Sequence, residues 1–462
     1  MTVLPNSPHA RDIKNYLHPY SNLKKHEERG PLIIEKGDGI YVEDLEGNRY
    51  IEGLAGLWCT SLGFNNERLV EAAAAQMRKL PYYHAFFHRS SMPSIDLAER
   101  LIEMTPGNMS KVWFANSGSE ANDHMMKFVW YYNNARGKPE KKKIIARMGG
   151  YHGIAVSSGS LTGMPLMHKG FDLPIKNVLH TGSPHHYRFA NEGESEEDFA
   201  TRRANELEQQ ILDEGPDTVA AFVAEPVMGA GGVILPPKTY FEKIQAVLKK
   251  YDVLMVADEV ICGFHRTGNV FGSNTYGITP DILVVAKQLS SAYLPISAVI
   301  LNEKVYGPIR DFSDENGVLA TGFTYSGHPV PAAVAVETLK IYDEMDIASH
   351  VNKMSPVMQE RLAALGDHPI VGEARGVGLI GAVELVKSKE TKENFAPAIA
   401  AYCGDACLAH GLILRAAAGN AVAACPPLII KEDEIHQMFD RFKLALDDTW
   451  AHVQKENLLA AE

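Results

Sequence analysis

Cysteine is scarce in this chain: five residues, Cys59, Cys262, Cys403, Cys407 and Cys425, are scattered over 462 positions. An odd number at irregular spacing excludes the disulfide framework of a small secreted domain and predicts reduced thiols. Cys403 and Cys407 lie four apart, a spacing that puts both on one face of a helix, but without a second ligand pair they make a poor zinc site, and no metal is expected. Also missing is any apolar run approaching the roughly 18 residues of a membrane span, and the opening MTVLPNSPHARDIKNYLHPYSN has no signal-type apolar core. The expectation is a cytoplasmic protein with no membrane partner. Basic residues are outnumbered, 45 Lys plus Arg against 57 Asp plus Glu, and the net charge of −12 repels a polyanion, so nucleic acid is not an expected partner. The densest basic run, Lys141 to Lys143 with Lys138 just before it, reads as a solvated loop. Internal repeats and long Pro, Gly or Ser linkers are absent too, so the parts of the chain are expected to pack together.

What remains is ordinary globular material, 45% hydrophobic and 22% charged, in a length that favours two or three domains, or one large domain with a satellite. The segment IIEKGDGIYVEDLEGNRYIEGLAG alternates apolar and polar residues around glycine turns and predicts short antiparallel strands. From about Arg68, helical stretches such as LVEAAAAQMRKL and SIDLAERLIEM alternate with the β-rich runs KVWFAN, KKIIAR, VAAFVAEP, VLMVADE and ILVVAK. This rhythm predicts an α/β fold with a mainly parallel sheet covered by helices. Beyond Pro329 come a long helix, the strand GLIGAVELV and terminal helices. The domain reading is a large unit over 62–330 and a smaller α+β unit built from both chain ends, 1–61 and 331–462.

Chemistry gathers at the ends of the predicted strands. DILVVAK ends on Lys287, where open α/β sheets place their ligands; alone, such a lysine usually belongs to a solvated loop. Asp258 ends the strand VLMVADE one crossover earlier, and a carboxylate there suits a protonated ring nitrogen as well as it suits a helix cap or surface ion pair. Glu259, the next residue, should point the other way. In FANSGSEAN the strand runs through Asn116, Ser117, Gly118 and Ser119 into a helix, which offers unpaired N–H groups to a phosphate or a simple N-cap by Ser119 or Asn116. No Walker Gly-Lys-Ser/Thr follows. Tyr151, among the glycines of GGYHG, suits stacking on a planar ring, whereas His152 beside it reads more readily as structural than as a base.

Taken in order, LHPY, GLAGLWC, FANSGSEAN, GGYHG, AEPVMGAGG, VADEVICGF, VAKQLSSAYLPI, GFTYSGHP and RGVGLIGAVEL resemble a class III, ω-type aminotransferase of the fold-type I pyridoxal-phosphate superfamily, over nearly the whole chain. The resemblance implies pyridoxal 5'-phosphate held covalently by Lys287, which would also carry the substrate proton. It implies Asp258 at the ring nitrogen, Tyr151 and Val260 on the two ring faces, Ser117, Gly118 and Ser119 at the phosphate, His152 and Glu225 among the cofactor contacts, and Thr324 reaching the phosphate of the neighbouring subunit of a homodimer. For the substrate pocket it points to Tyr20, Trp58, Phe86, Phe87 and Arg415, the last as a planar fork for a carboxylate. Two departures stand out: His265 where relatives often carry glycine, and AAAGN after Arg415 where many carry Gly-Asp.

The implied reaction is a ping-pong transfer from a primary amine or ω-amino acid to a 2-oxo acid such as pyruvate. A decarboxylase, racemase or aminomutase would use the same lysine and aspartate. A nicotinamide-dependent oxidoreductase is a distant alternative: Gly376, Gly378 and Gly381 spell GxGxxG, but strand-like residues follow where a helix should open.

Overall fold

The computed structural model describes residues 6–395 and 398–459. Near the N-terminus, glycine and Asn-containing turns separate β1 (Ile34–Asp38), β2 (Tyr41–Asp44) and β3 (Arg49–Glu52), which pair antiparallel as their alternation predicts. A short strand from far along the chain, Leu412–Ile413, joins β3 in parallel and completes this sheet.

The central sheet has seven strands: β4 (Met109–Ala115), β5 (Lys143–Arg147), β6 (Val178–Thr181), β7 (Val219–Ala224), β8 (Leu254–Asp258), β9 (Ile282–Val285) and β10 (Ser297–Asn302), in the order β4-β10-β9-β8-β7-β5-β6. Only β10 runs against the others. Two of these strands, β6 and β10, were not among the runs singled out in the sequence. Side chains alternate across the sheet: Ala221, Val223, Leu254, Val256, Ile282 and Val284 pack toward the helix Gly118–Ala135. Phe222, Ala224, Met255 and Ala257 pack toward the helices Glu196–Glu214 and Tyr240–Lys250. Both faces are therefore dry, which is why these strands read as continuous apolar runs. Truncating one such buried Ile or Leu to Ala should cost about 2–5 kcal/mol.

The basic run is not the solvated loop its composition suggested. Lys141 is buried, with its Nζ donating to the carbonyls of Pro216 and Tyr251 at 3.0 Å each, and Lys143 opens β5. Carbonyls at two loop ends supply the partners that a buried ammonium needs, and charge density along the sequence does not reveal them.

A third sheet holds β11 (Val371–Val377) and β12 (Ile380–Leu385), with the later strands Arg415–Ala416 and Ala421–Ala424. The GxGxxG glycines sit in the β11–β12 hairpin, with Gly376 opposite Gly381 and Gly378 at φ +58° in the turn. No helix opens there, so the spacing serves a tight hairpin and not a dinucleotide. Cys403 and Cys407 are buried core residues on the helix Ala398–Ala409. Among the described residues no helix is long and apolar enough to cross a membrane.

Candidate active site

Because β4, β5, β7, β8 and β9 are parallel, their carboxyl ends share one edge of the sheet, and the residues that follow them meet there: Ser117 to Ser119, Gly149 to Gly153, Glu225, Asp258 and Lys287. Of these, Gly118, Ser119, Tyr151 to Gly153, Glu225, Asp258 and Lys287 open on a cavity of about 620 Å³ whose lining also includes Tyr20, Trp58, Asn122, Val260 and Arg415.

Lys287 follows β9 and has φ +51°, a left-handed conformation that a lysine adopts only when the surroundings enforce it. Burial lowers its pKa below the ordinary 10.5, and the Arg415 cation adds to this against the opposing pull of Cys59, Asp258 and Glu225. The result is an amine more readily neutral, and so more nucleophilic, than a surface lysine.

Asp258 ends β8, the neighbouring strand. Its Oδ2 accepts from Asn122 Nδ2 at 2.9 Å and faces His152 Nδ1 at 2.8 Å, while Oδ1 accepts from the Val260 N–H at 3.1 Å. Both side-chain partners hold the same oxygen, which sets the plane of the carboxylate. His152 is itself fixed by its N–H to Thr162 Oγ1 at 2.9 Å, so its ring is held against Asp258. Asn122, whose Nδ2 also donates to the His152 carbonyl at 2.8 Å, was missed in the sequence. The available signal was its place four residues after Gly118 on one helix face. Glu259 does point away: its carboxylate accepts from the backbone N–H groups of Gly272 and Ser273 at 2.9 and 2.5 Å.

At the other end of the cavity Ser117 caps the helix Gly118–Ala135, its Oγ accepting from the Glu120 N–H at 3.2 Å. The capping side chain is thus Ser117, and neither Ser119 nor Asn116 takes that part. Ser119 Oγ instead accepts from the Ile154 N–H at 3.1 Å. A Cβ added to Gly118 would stand 3.3 Å from Val260, and one on Gly153 would stand 2.6 Å from Ser158 Oγ and 2.7 Å from Ser119 Oγ, so both glycines let neighbouring side chains approach the backbone closely. Glu225 is buried, accepts from the N–H groups of Tyr151 and Gly229 at 3.0 Å each, and is pushed above its usual range by burial. It anchors the Tyr151 backbone.

Trp58, also in the cavity lining, is buried with its indole Nε1 unpartnered, in a turn that Glu52 ties through the N–H groups of Leu54 and Gly56. Arg415 sits 5.6 Å over the exposed Tyr20 ring. His265 adopts φ +73°, a conformation that favours glycine, and its ring lies against Tyr342 and outside the cavity lining.

Four sequence candidates are outside the cavity lining: Ser117, whose side chain is taken up in capping its helix, and three residues farther off. Phe86 packs against Gly322, Phe87 is 76% exposed, and Thr324 lies exposed in a turn whose carbonyl accepts from Tyr82 Oη at 2.8 Å. None lines the cavity of its own chain. The loop and the turn that carry them sit together at the surface.

The donor set fits pyridoxal phosphate. An amine and a carboxylate stand at the ends of adjacent strands, a half-buried tyrosine and a valine border the space between, and a capped helix N-terminus whose Gly118 and Ser119 line the cavity suits a phosphate. Comparison with known proteins agrees. The family model described as aminotransferase class-III matches residues 23–446. Gamma aminobutyrate transaminase 3, chloroplastic, of Solanum lycopersicum is 51% identical over 462 residues, covering 98% of this chain and 89% of that protein. Vanillin aminotransferase of Capsicum annuum is 51% identical over 428 residues, 92% of this chain and 93% of that protein. The crystal structure of the omega transaminase from Pseudomonas jessenii in complex with PMP superposes with a TM-score of 0.96 at 56% identity, covering 97% of this chain and 99% of that one. A match over nearly the whole length, in sequence and in fold, makes this chain a member of the class III aminotransferases, pyridoxal-phosphate enzymes of fold-type I.

Proposed function

We propose that this aminotransferase takes nitrogen from a primary amine or ω-amino acid and passes it to a 2-oxo acid such as pyruvate, in two half-reactions at one site. The observation that carries this reading is the single cavity in which Lys287 and Asp258, from neighbouring strands, face Arg415 and the aromatic residues Tyr20 and Trp58. When bound, pyridoxal phosphate supplies an aldehyde that accepts nitrogen and a ring that withdraws electrons from the substrate carbon. Lys287 would hold the cofactor and, as an amine of lowered pKa, would carry the proton at the substrate carbon. Asp258, steadied by Asn122 and His152, keeps a carboxylate at the ring nitrogen. Tyr151 and Val260 would border the cofactor ring, and Ser117, Gly118 and Ser119, at the helix N-terminus, would receive its phosphate. Arg415 binds the acceptor carboxylate, while Trp58 and Tyr20 offer an apolar surface to a donor that lacks one. The names of the two plant relatives, one for an ω-amino acid and one for an aromatic aldehyde, the carbonyl counterpart of an arylmethylamine, support a donor of this class.

The site is completed, in our reading, by a second copy of the chain. Phe86, Phe87 and Thr324 stand outside their own cavity beside exposed Tyr82 and Tyr325, an aromatic patch suited to an interface. Thr324 would then reach the phosphate of the adjoining subunit. The five unpaired cysteines, four of them buried, support a reducing compartment, and we place the enzyme in the cytoplasm.

Hydride reduction of the holoenzyme followed by peptide mapping tests the assignment of Lys287. The expected result is one pyridoxyl adduct on Lys287, with no complete turnover by Lys287→Ala. An adduct on another lysine, or sustained turnover by the variant, rules the proposal out.

A further inference from the structure

The helices Pro8–Asn15 and Leu23–Arg29 and the loop between them bring together three side chains that the transamination site does not use. Asp12 comes from the first helix, His18 from the loop and His26 from the second helix. His18 Nε2 lies 2.9 Å from both oxygens of the Asp12 carboxylate, and His26 Nε2 lies 3.0 Å from Oδ1. The two imidazole rings stand side by side, with centroids 4.1 Å apart and planes inclined by 33°. One ligand atom from each residue falls within 4.8 Å of the other two. The side chains are partly shielded, 18% exposed for Asp12, 23% for His18 and 13% for His26, so the cluster is sheltered yet open to solvent.

Two imidazoles directed at one carboxylate oxygen each need a proton on Nε2 to make their contact. A single dication satisfies the same three atoms without those protons. Ligands about 2.0–2.2 Å from zinc in a tetrahedron sit roughly 3.3–3.5 Å from one another, so a small outward shift of the three groups opens the space. Two nitrogens and one carboxylate oxygen, with room for water, match the borderline metals zinc, nickel and copper, whereas magnesium and calcium prefer oxygen alone.

We propose that Asp12, His18 and His26 form a binding site for one zinc-type divalent cation, which anchors the segment leading to the active-site cavity. His18 is followed by Pro19 and Tyr20, both of which line that cavity. A filled site ties the loop to the helices on either side of it and restricts where the Tyr20 ring stands beneath Arg415. The cation touches neither substrate nor cofactor, so its effect is on stability and on the order of the loop.

The test uses holoenzyme stripped with a chelator, desalted and titrated with zinc chloride by calorimetry, with bound metal counted after gel filtration. The expected result is one zinc per chain, undisturbed by excess magnesium, with affinity falling at least about tenfold in His18→Ala and in His26→Ala. Zinc should also raise the Tm of the wild type and leave the Tm of both variants unchanged. Asp12→Asn keeps the shape of the cluster without its charge and should weaken binding as well, which guards against misfolding of the histidine variants. Absence of stoichiometric zinc in the wild type, or uptake undiminished across the three variants, overturns the proposal.

Discussion

The reactivity assigned to Lys287 and Asp258 depends on neighbours that themselves carry no reaction. Asn122 and His152 grip the same oxygen of Asp258, so removing one leaves the carboxylate free to turn and an acceptor short of a donor. A hydrogen bond to a charged group contributes about 1.5–3 kcal/mol, and Asn122→Ala should therefore lower kcat/KM roughly ten- to a hundredfold in steady-state assays. Arg415 offers a separable test. Arg415→Leu should reduce kcat/KM for a 2-oxo acid by roughly ten- to a hundredfold, while the half-reaction with an uncharged arylalkylamine changes less than about twofold. Equal losses in both half-reactions would assign Arg415 a structural part. Lys287 and Asp258 were legible in the sequence because each ends an apolar run of its own strand. Asn122 was not, since its spacing from Gly118 marks only the helix face and its partner lies 136 residues away.

At the scale of elements, the strand ends divide their work between adjacent residues. Asp258 faces the cavity and Glu259 turns back to cap the helix Gly272–Tyr276, as expected of consecutive side chains at the end of a strand. Burial pushes Glu259 from the ordinary 4.5 up to about 7, against the hydrogen bonds from Ser273 and Gly272. The folded protein then binds a proton that the unfolded chain has released between those values. This group's contribution is complete below about 4.5 and is lost as pH rises through about 7. Urea denaturation should show that Glu259→Gln destabilises the protein by about 1–2 kcal/mol near pH 5.5, and by less near pH 8. The main helices and the parallel strands were readable from periodicity and apolar runs. Lys141 was misread because a run of like charges resembles a loop until the carbonyls of Pro216 and Tyr251 are brought to it.

The whole molecule presents an aromatic surface at Phe86, Phe87 and Tyr325 that one chain does not cover. If Thr324 serves the adjoining subunit, two inactive variants should rescue each other. Co-expressed Lys287→Ala and Thr324→Trp chains should regain roughly a quarter of wild-type activity, because half the random dimers hold one intact site of two. No recovery in purified heterodimers would place Thr324 at its own chain's site or at none. Short segments carry the identity of the reacting groups, since a strand, its terminal residue and the turn after it are set by neighbours along the chain. Which of those groups share a cavity depends on the order of strands in the sheet. The surface position of Phe86, Phe87 and Thr324, and the convergence of Asn122 and His152 on Asp258, come from contacts between residues far apart in the chain, which follow from the packing of the completed fold.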